Sequence, residues 1–235
     1  MRNLGLTSIM LFSALSINAQ TTAWTFDNTT TWPTAGLVSG GPTVVIEKLG
    51  CVPHNGTSTN TFAAQQALTI GYSDATSYTS IIKTNGSGGA VNYKPVLRYF
   101  YFNLDGNATV KVWFRHGRTS TTGTRTLFLT SDGTPDATLV GSTPVEMGAA
   151  GILNYTTTTG AGKYYLYGDN SLYISKIEIT GANVVTPALS TKNFQKELDV
   201  TVFAKDGKIF LSNIKTSTKV NVYNVLGALV KTAQL

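Results

Sequence analysis

The strongest constraint on this 235-residue chain is a long succession of short strand-like runs punctuated by turn residues. Runs rich in Val, Ile, Thr, Tyr and Phe occupy 43–49, 67–72, 80–83, 97–104, 109–116, 125–130, 152–157, 163–167 and 173–180. Between them lie Asn85-Gly-Ser-Gly-Gly, Asp105-Gly-Asn, Ser131-Asp-Gly-Thr-Pro and Gly168-Asp-Asn, all of which favour turns and loops. No helical period lasts beyond a turn or two. Many short strands at this spacing predict an all-β fold, a jelly-roll-like antiparallel β-sandwich. Charged residues make up only 13 %, but a 42 % apolar share suffices to build a core.

The best-defined stretch runs from Leu97 to Arg115, two β-rich runs joined by Asp105-Gly-Asn107. The stretch reads as a hairpin, and strand alternation places Phe100, Phe102 and Leu104 on one face with Val110, Val112 and Phe114 across from them, a face that must be core. Read as a hairpin, the stretch sets Phe102 opposite Val110, Tyr99 opposite Trp113 and Tyr101 opposite Lys111. The opposite face then carries Tyr99, Tyr101, Lys111, Trp113 and Arg115 together. Flat rings beside hydrogen-bonding side chains suit a sugar, whose C–H faces lie on the ring while its hydroxyls seek donors and acceptors. Lys111 and Arg115 could also meet a uronate carboxylate. The competing reading is packing, since aromatics on an outer sheet face often lie under a loop. The segments Trp24 to Val38 and Ala90 to Pro95 could supply that cover.

Several classes of function lack their residues. The net charge of +6 is scattered, with no run of Lys and Arg beyond the loose group Arg115, Arg118 and Arg125, so no nucleic-acid surface is expected. Cys51 is the one cysteine, which rules out an intramolecular disulfide, and Cys51 with His54 supplies too few ligands for zinc. No cofactor is called for, although Asp132 and Asp136 with backbone carbonyls could hold a structural calcium. Nucleophile-elbow, zinc-protease, phosphate-loop and dinucleotide motifs are missing. The acids sit mostly in turn-like segments, with no pair placed as a glycosidase would need. His116, Arg115, Arg118 and Tyr101 are the residue types a polysaccharide lyase would use, which keeps a small lyase or hydrolase open as a third reading. A sugar-binding module comes first, and a surface adhesin or structural matrix protein second.

The ends speak of export. Arg2, an apolar run from Leu4 to Leu15 and Ile17-Asn18-Ala19 form a cleavable secretory signal over 1–19. No stretch is long enough for a membrane span, so a secreted or cell-surface location is expected. The β-sandwich occupies 20–181, a linker centred on Pro187 covers 182–196, and a small, incomplete β-sandwich covers 197–235. That last segment holds Leu198-Asp-Val-Thr-Val, Gly207-Lys-Ile-Phe-Leu and the strand and turn of Val220, Val222, Val225-Leu226, Gly227 and Leu229-Val230. It resembles the carboxy-terminal sorting domain of the type IX secretion system of Bacteroidetes, without that family's opening Asn-Pro or closing Gly-x-Tyr strand. The resemblance implies the type IX secretion machinery as a partner.

The body has its own likeness. Leu97-Arg-Tyr-Phe-Tyr-Phe, Val110-Lys-Val-Trp, Arg125-Thr-Leu, Gly162-Lys-Tyr-Tyr-Leu-Tyr-Gly and Leu172-Tyr-Ile-Ser-Lys-Ile-Glu-Ile resemble β-sandwich modules attached to secreted Bacteroidetes pectate lyases. The resemblance spans most of Trp24 to Thr180. It implies a polysaccharide partner, and it adds Arg125 to the residues of interest, either as a ligand contact or as a buried structural cation.

Overall fold

The computed structural model describes residues 20–118, 123–186, 201–206, 208–212, 219–224 and 228–234. The expected secretory signal over 1–19, most of the expected linker and the turn at Val225–Gly227 lie outside the described residues. Every described element is a strand. The chain divides into two compact units, Met1–Pro187 and Ala188–Leu235.

In the first unit the strands are β1 (Thr21–Thr25), β2 (Val44–Ile46), β3 (Leu49–Val52), β4 (Ala64–Gly71), β5 (Ser77–Lys83), β6 (Tyr99–Leu104) and β7 (Thr109–His116). They continue with β8 (Thr124–Ser131), β9 (Thr138–Glu146), β10 (Ala150–Thr156), β11 (Gly162–Gly168), β12 (Leu172–Thr180) and β13 (Val184–Val185). A six-stranded sheet has the order β10-β7-β12-β5-β4, with β1 paired to the second half of β12. A seven-stranded sheet has the order β2-β3-β6-β11-β8-β9, with β13 paired to the end of β6. All pairings are antiparallel.

The two sheets enclose one core. Val110, Val112 and Phe114 of β7 and Ile174, Ile177 and Ile179 of β12 line the six-stranded side. Phe100, Phe102 and Leu104 of β6, Leu127 and Leu129 of β8, and Tyr164 and Leu166 of β11 line the other. The inner faces named from alternation are therefore the core. The fold is an antiparallel β-sandwich, as the strand pattern predicts.

The expected hairpin of 97–115 does not exist. β6 pairs with β3, β11 and β13, while β7 pairs with β10 and β12, so the two runs lie in opposite sheets. The link between them fastens to other segments instead of closing on itself. Asp105 Oδ1 accepts from Asn183 N at 2.8 Å, and Ala108 N donates to Thr157 Oγ1 at 2.9 Å. Alternation is the same for neighbours in one sheet and for strands facing each other across a core, because it reports only which side is buried. The pairings of Phe102 with Val110, Tyr99 with Trp113 and Tyr101 with Lys111 are thus replaced by Phe102–Tyr164, Trp113–Lys176 and Tyr101–Tyr165.

Other differences have local causes. The run 43–49 is broken at Glu47-Lys48, both with positive φ (48° and 70°), and a tight turn joins β2 to β3. Trp24 Nε1 donates to Glu47 O at 3.0 Å and holds that turn. β9 was masked in the sequence by Gly141 and Pro144; it lies at the edge of its sheet, where a missing N–H costs nothing. The sandwich also runs past Gly181, since Ala182 and Val184 are buried in its core.

The second unit contains two hairpins, β14 (Thr201–Lys205) with β15 (Lys208–Ser212), and β16 (Lys219–Tyr223) with β17 (Leu229–Gln234). Phe203 and Phe210 oppose each other in the first, with rings stacked at 5.0 Å.

Candidate functional site

Because β6 and β7 belong to different sheets, the six residues named from sequence divide among three places. Lys111, Trp113 and Arg115 lie on the outer face of the six-stranded sheet. Tyr99 and Tyr101 lie on the outer face of the seven-stranded sheet. Arg125 has the parity of Leu127 and Leu129, so it points inward.

Trp113 is not available to a ligand: it is 3 % exposed. Tyr78 meets its ring edge-on at 5.6 Å, and the ammonium groups of Lys111 and Lys176 lie 4.4 Å and 4.9 Å from the ring centroid. The 72–76 turn supplies the rest of the cover. Asp74 Oδ2 accepts from Trp113 Nε1 at 3.0 Å and from Lys111 Nζ at 2.9 Å. Hydrogen bonds from Thr76, Lys111 and Trp113, in that order, hold the Asp74 carboxyl well below its usual range. The covering segment is therefore the β4–β5 turn, not Trp24 to Val38. Arg115 is half-buried and gives its Nε to Gly148 O at 3.3 Å.

A group depressed in the folded state stabilises it above the unfolded pKa, and the contribution disappears as pH falls through the folded pKa. Trp113 is accordingly expected to stay shielded from a quencher at neutral pH. Its exposure should rise only as the pH drops below roughly 4, the ordinary aspartate range. In Asp74→Ala the same tryptophan should be more quenchable at neutral pH, with the difference from wild type shrinking in acid. Equal quenching in variant and wild type at pH 7 would remove Asp74 as the lock.

Arg125 is 7 % exposed, and its Nη1 donates to Ser171 O. Burial lowers its pKa from the ordinary value, with Arg118 adding to the effect. Arg125 therefore lies inside the sandwich against the β11–β12 turn. The lyase-type set is likewise dispersed. His116 is buried, with Nδ1 2.9 Å from Arg118 O, whereas Tyr101 lies on the opposite sheet. Cys51 is buried in the core and burial pushes its thiol pKa up, while His54 Nδ1 accepts from Gly56 N. Asp132 pairs with Lys94 at 2.9 Å, and Asp136 Oδ1 accepts from Asn92 Nδ2 at 3.0 Å. Among the described residues, no three His, Cys, Asp or Glu side chains gather as a metal site would need.

The outer face of the seven-stranded sheet is aromatic over three adjacent strands, β6, β11 and β8. Tyr99 and Tyr101 from β6, Tyr165 and Tyr167 from β11, and Phe128 from β8 form one cluster with Ala137. Tyr101 lies against the backbone of Gly50 on β3, and Lys163 Nζ sits 4.1 Å above its ring centroid. Tyr99 meets Tyr165 edge-on at 5.5 Å. Phe128 and Tyr167 oppose each other in the register and stack at 5.4 Å with planes 14° apart.

The loop from Asn85 to Arg98 straps across the Phe128–Tyr167 end of this face. It approaches closely at Gly88, where a Cβ would stand 2.7 Å from Tyr167 Cδ2. Gly88 N donates to Gly168 O at 2.8 Å and fixes the strap to the end of β11. Its tip is a two-residue turn between Val91 and Lys94, with Asn92 and Tyr93 both at positive φ (47° and 62°). Asn tolerates that conformation, but a tyrosine there is strained and persists only when its surroundings hold it. Lys94 supplies the hold by bonding to Asp132 and to Gly133 O at 2.9 Å.

Strap and sheet leave a cleft of about 450 Å³ between them. Phe128 and Tyr167 form its aromatic floor, and Tyr93 stands at its mouth with 47 % of its surface exposed. Ser87, Asn92 and Asp169 bring polar groups to the rim. Tyr167 donates its hydroxyl to Tyr93 O at 3.1 Å, and burial pushes its pKa up to about 12. None of these six was singled out from sequence as a site residue. The runs Asn85-Gly-Ser-Gly-Gly and Gly168-Asp-Asn, which flank the cleft, were legible only as turns.

No protein-family model matches the chain, and neither does any curated protein. Among solved structures, one similar chain is the C-terminal CBM6 of LamC, a marine laminarinase from Zobellia galactanivorans. It is 15 % identical with a TM-score of 0.25, over 49 % of this chain and 90 % of that one. Another contains the CBM22-1 and GH10 modules of xylanase 10B from Clostridium thermocellum, complexed with xylohexaose. There the identity is 9 % and the TM-score 0.28, over 72 % of this chain and 25 % of that one.

Proposed function

We propose that the first unit is a non-catalytic carbohydrate-binding module and that the cleft under the Asn85–Arg98 strap is its binding site. The observation that carries the reading is the pairing of a stacked Phe128–Tyr167 floor with an exposed, strained Tyr93 at the mouth. A pyranose needs apolar contact on its C–H faces and hydrogen-bond partners around its edge. Phe128 and Tyr93 supply the first. Ser87, Asn92 and Asp169 supply the second: Ser87 Oγ accepts from Gly89 N and keeps its own proton to donate. The volume lies at the lower end of the roughly 300–1,000 Å³ typical of small-molecule sites. That suits a short stretch of a chain better than a broad polymer surface.

Secretion belongs to the same proposal. It rests on the signal-like Met1–Ala19 and on the resemblance of 197–235 to a type IX sorting domain. The partners proposed are a plant or algal polysaccharide and that secretion machinery. Of the residues named first from sequence, Tyr99 and Tyr101 stay near the site as half-buried members of the same aromatic face.

The test is affinity electrophoresis of the full chain through gels containing soluble polysaccharides. Wild type should be retarded on at least one polymer, and Tyr93→Ala should weaken retention about tenfold, near 1.4 kcal/mol. A wild-type protein retarded by none of them would end the proposal. A surface adhesin is the second reading, favoured by the exposed Val91, Tyr93 and Val96 on the strap. It predicts retention by cells or matrix that sugar does not compete.

A further inference from the structure

We infer that the cleft selects uncharged sugar residues over uronates, with Asp169 as the residue that enforces the choice; this rests on the carbohydrate-binding reading above. No lysine or arginine lines the cleft, and its one charged lining group is the Asp169 carboxylate. Asp136 adds a second negative charge nearby, since its Oδ1 receives Asn92 Nδ2.

Of the cations on the surrounding elements, Arg125 feels the Asp169 charge from the inner side of the sheet, where its Nη1 is given to Ser171 O, and the others are committed elsewhere. Lys94 is held by Asp132 and Gly133. Lys163 lies over the rings of Tyr101 and Tyr165, 4.1 Å and 5.2 Å from their centroids. Arg98, at the end of the strap, packs its guanidinium against Gly86 outside the cleft lining and gives Nη2 to Ser58 Oγ at 3.1 Å, with its buried Nε unpaired. Lys111 and Arg115, the two cations that sequence offered to a uronate, stand on the outer face of the other sheet.

A carboxylate entering this cleft would lose water beside Asp169 and gain no cation, which is the costly way to bury a charge. A hydroxyl is served well by the same group. Asp169 Oδ1 already accepts from Thr126 N at 2.9 Å, and its backbone N donates to Thr126 O at 3.1 Å. These bonds fix the side chain and leave Oδ2 as an acceptor for a sugar hydroxyl. Asn at this position keeps the Oδ1 acceptor for Thr126 N and so spares the turn, while it removes the charge and replaces the Oδ2 acceptor by an amide donor that a carboxylate can use.

The experiment compares the full chain and two variants on neutral gels (xylan, laminarin, galactomannan) and on polygalacturonate and alginate, at about 0.15 M and 0.5 M salt. The higher salt removes the general attraction of a chain with net charge +6 for polyanions. The expected result is retention on a neutral gel that survives salt and is lost in Tyr93→Ala, with no Tyr93-dependent retention on either uronate. Asp169→Asn, with an unchanged melting temperature, should then gain uronate retention at least tenfold over wild type. Wild-type retention on a uronate that survives salt and needs Tyr93 would overturn the selectivity and leave the binding site standing. An Asp169→Asn protein that still rejects uronates would overturn the role of Asp169. Retention on no gel, or retention indifferent to Tyr93→Ala, would instead overturn the site itself.

Discussion

Replacing Trp113 by alanine is expected to cost the first unit about 3–5 kcal/mol of stability, the usual range for a buried indole. Retention on a polysaccharide should be left as it was. The side chain is 3 % exposed and packs with Tyr78, Ile81, Ile70 and Tyr72. Its loss opens a hole on the outer face of the six-stranded sheet and deprives Asp74 of one of its donors. The aromatic face beside the proposed cleft lies on the other sheet, with the whole core between. Urea melts give the stability and gel retardation gives the binding. Trp113→Phe, which fills most of the space, keeps the comparison valid if the alanine variant fails to fold. Lost retention in Trp113→Phe with an unchanged melt would mean that the ligand sits over Trp113 after all.

The fold was legible in this chain because alternation and turn residues are local signals. Phe100, Phe102, Leu104, Val110, Val112 and Phe114 all fall inside, as period-two patterning requires. What alternation cannot encode is the partner of a strand. Asp105-Gly-Asn looks like a hairpin turn, yet its ends are claimed by Asn183 and Thr157, residues 78 and 49 positions away in sequence whose role nothing local announces. That one ambiguity moved Lys111, Trp113 and Arg115 to the far side of the molecule from Tyr99 and Tyr101. The cleft was illegible for a related reason. Its floor is a cross-strand pair, Phe128 with Tyr167, set by a long-range register, and its mouth is a tyrosine in a backbone conformation that tyrosine seldom adopts. The nearest local signal was Asn92, a residue at home in such turns.

A second large effect is expected at Gly50, which would be passed over as an ordinary strand residue. It pairs with Tyr101 across β3 and β6, and a Cβ there would stand 2.0 Å from Tyr101 Cε1 and 2.2 Å from Cζ. The ring lies flat on bare backbone, pinned from above by Lys163. Gly50→Ala should therefore destabilise the unit by about 1–3 kcal/mol, as overfilling does, even though alanine is the better strand former of the two. The clash involves a side chain, so it can be relieved. In a Tyr101→Ala background the same Gly50→Ala change should be close to neutral or mildly stabilising, giving a coupling of at least about 1 kcal/mol in a double-mutant cycle. Equal costs in both backgrounds would show that Gly50 is needed for its own backbone and not for the ring above it. The measured coupling then tests whether Tyr101 is a packed member of the aromatic face, held in place beneath Lys163, or a ring free to turn toward a ligand. Only the packed arrangement makes the penalty at Gly50 depend on the tyrosine.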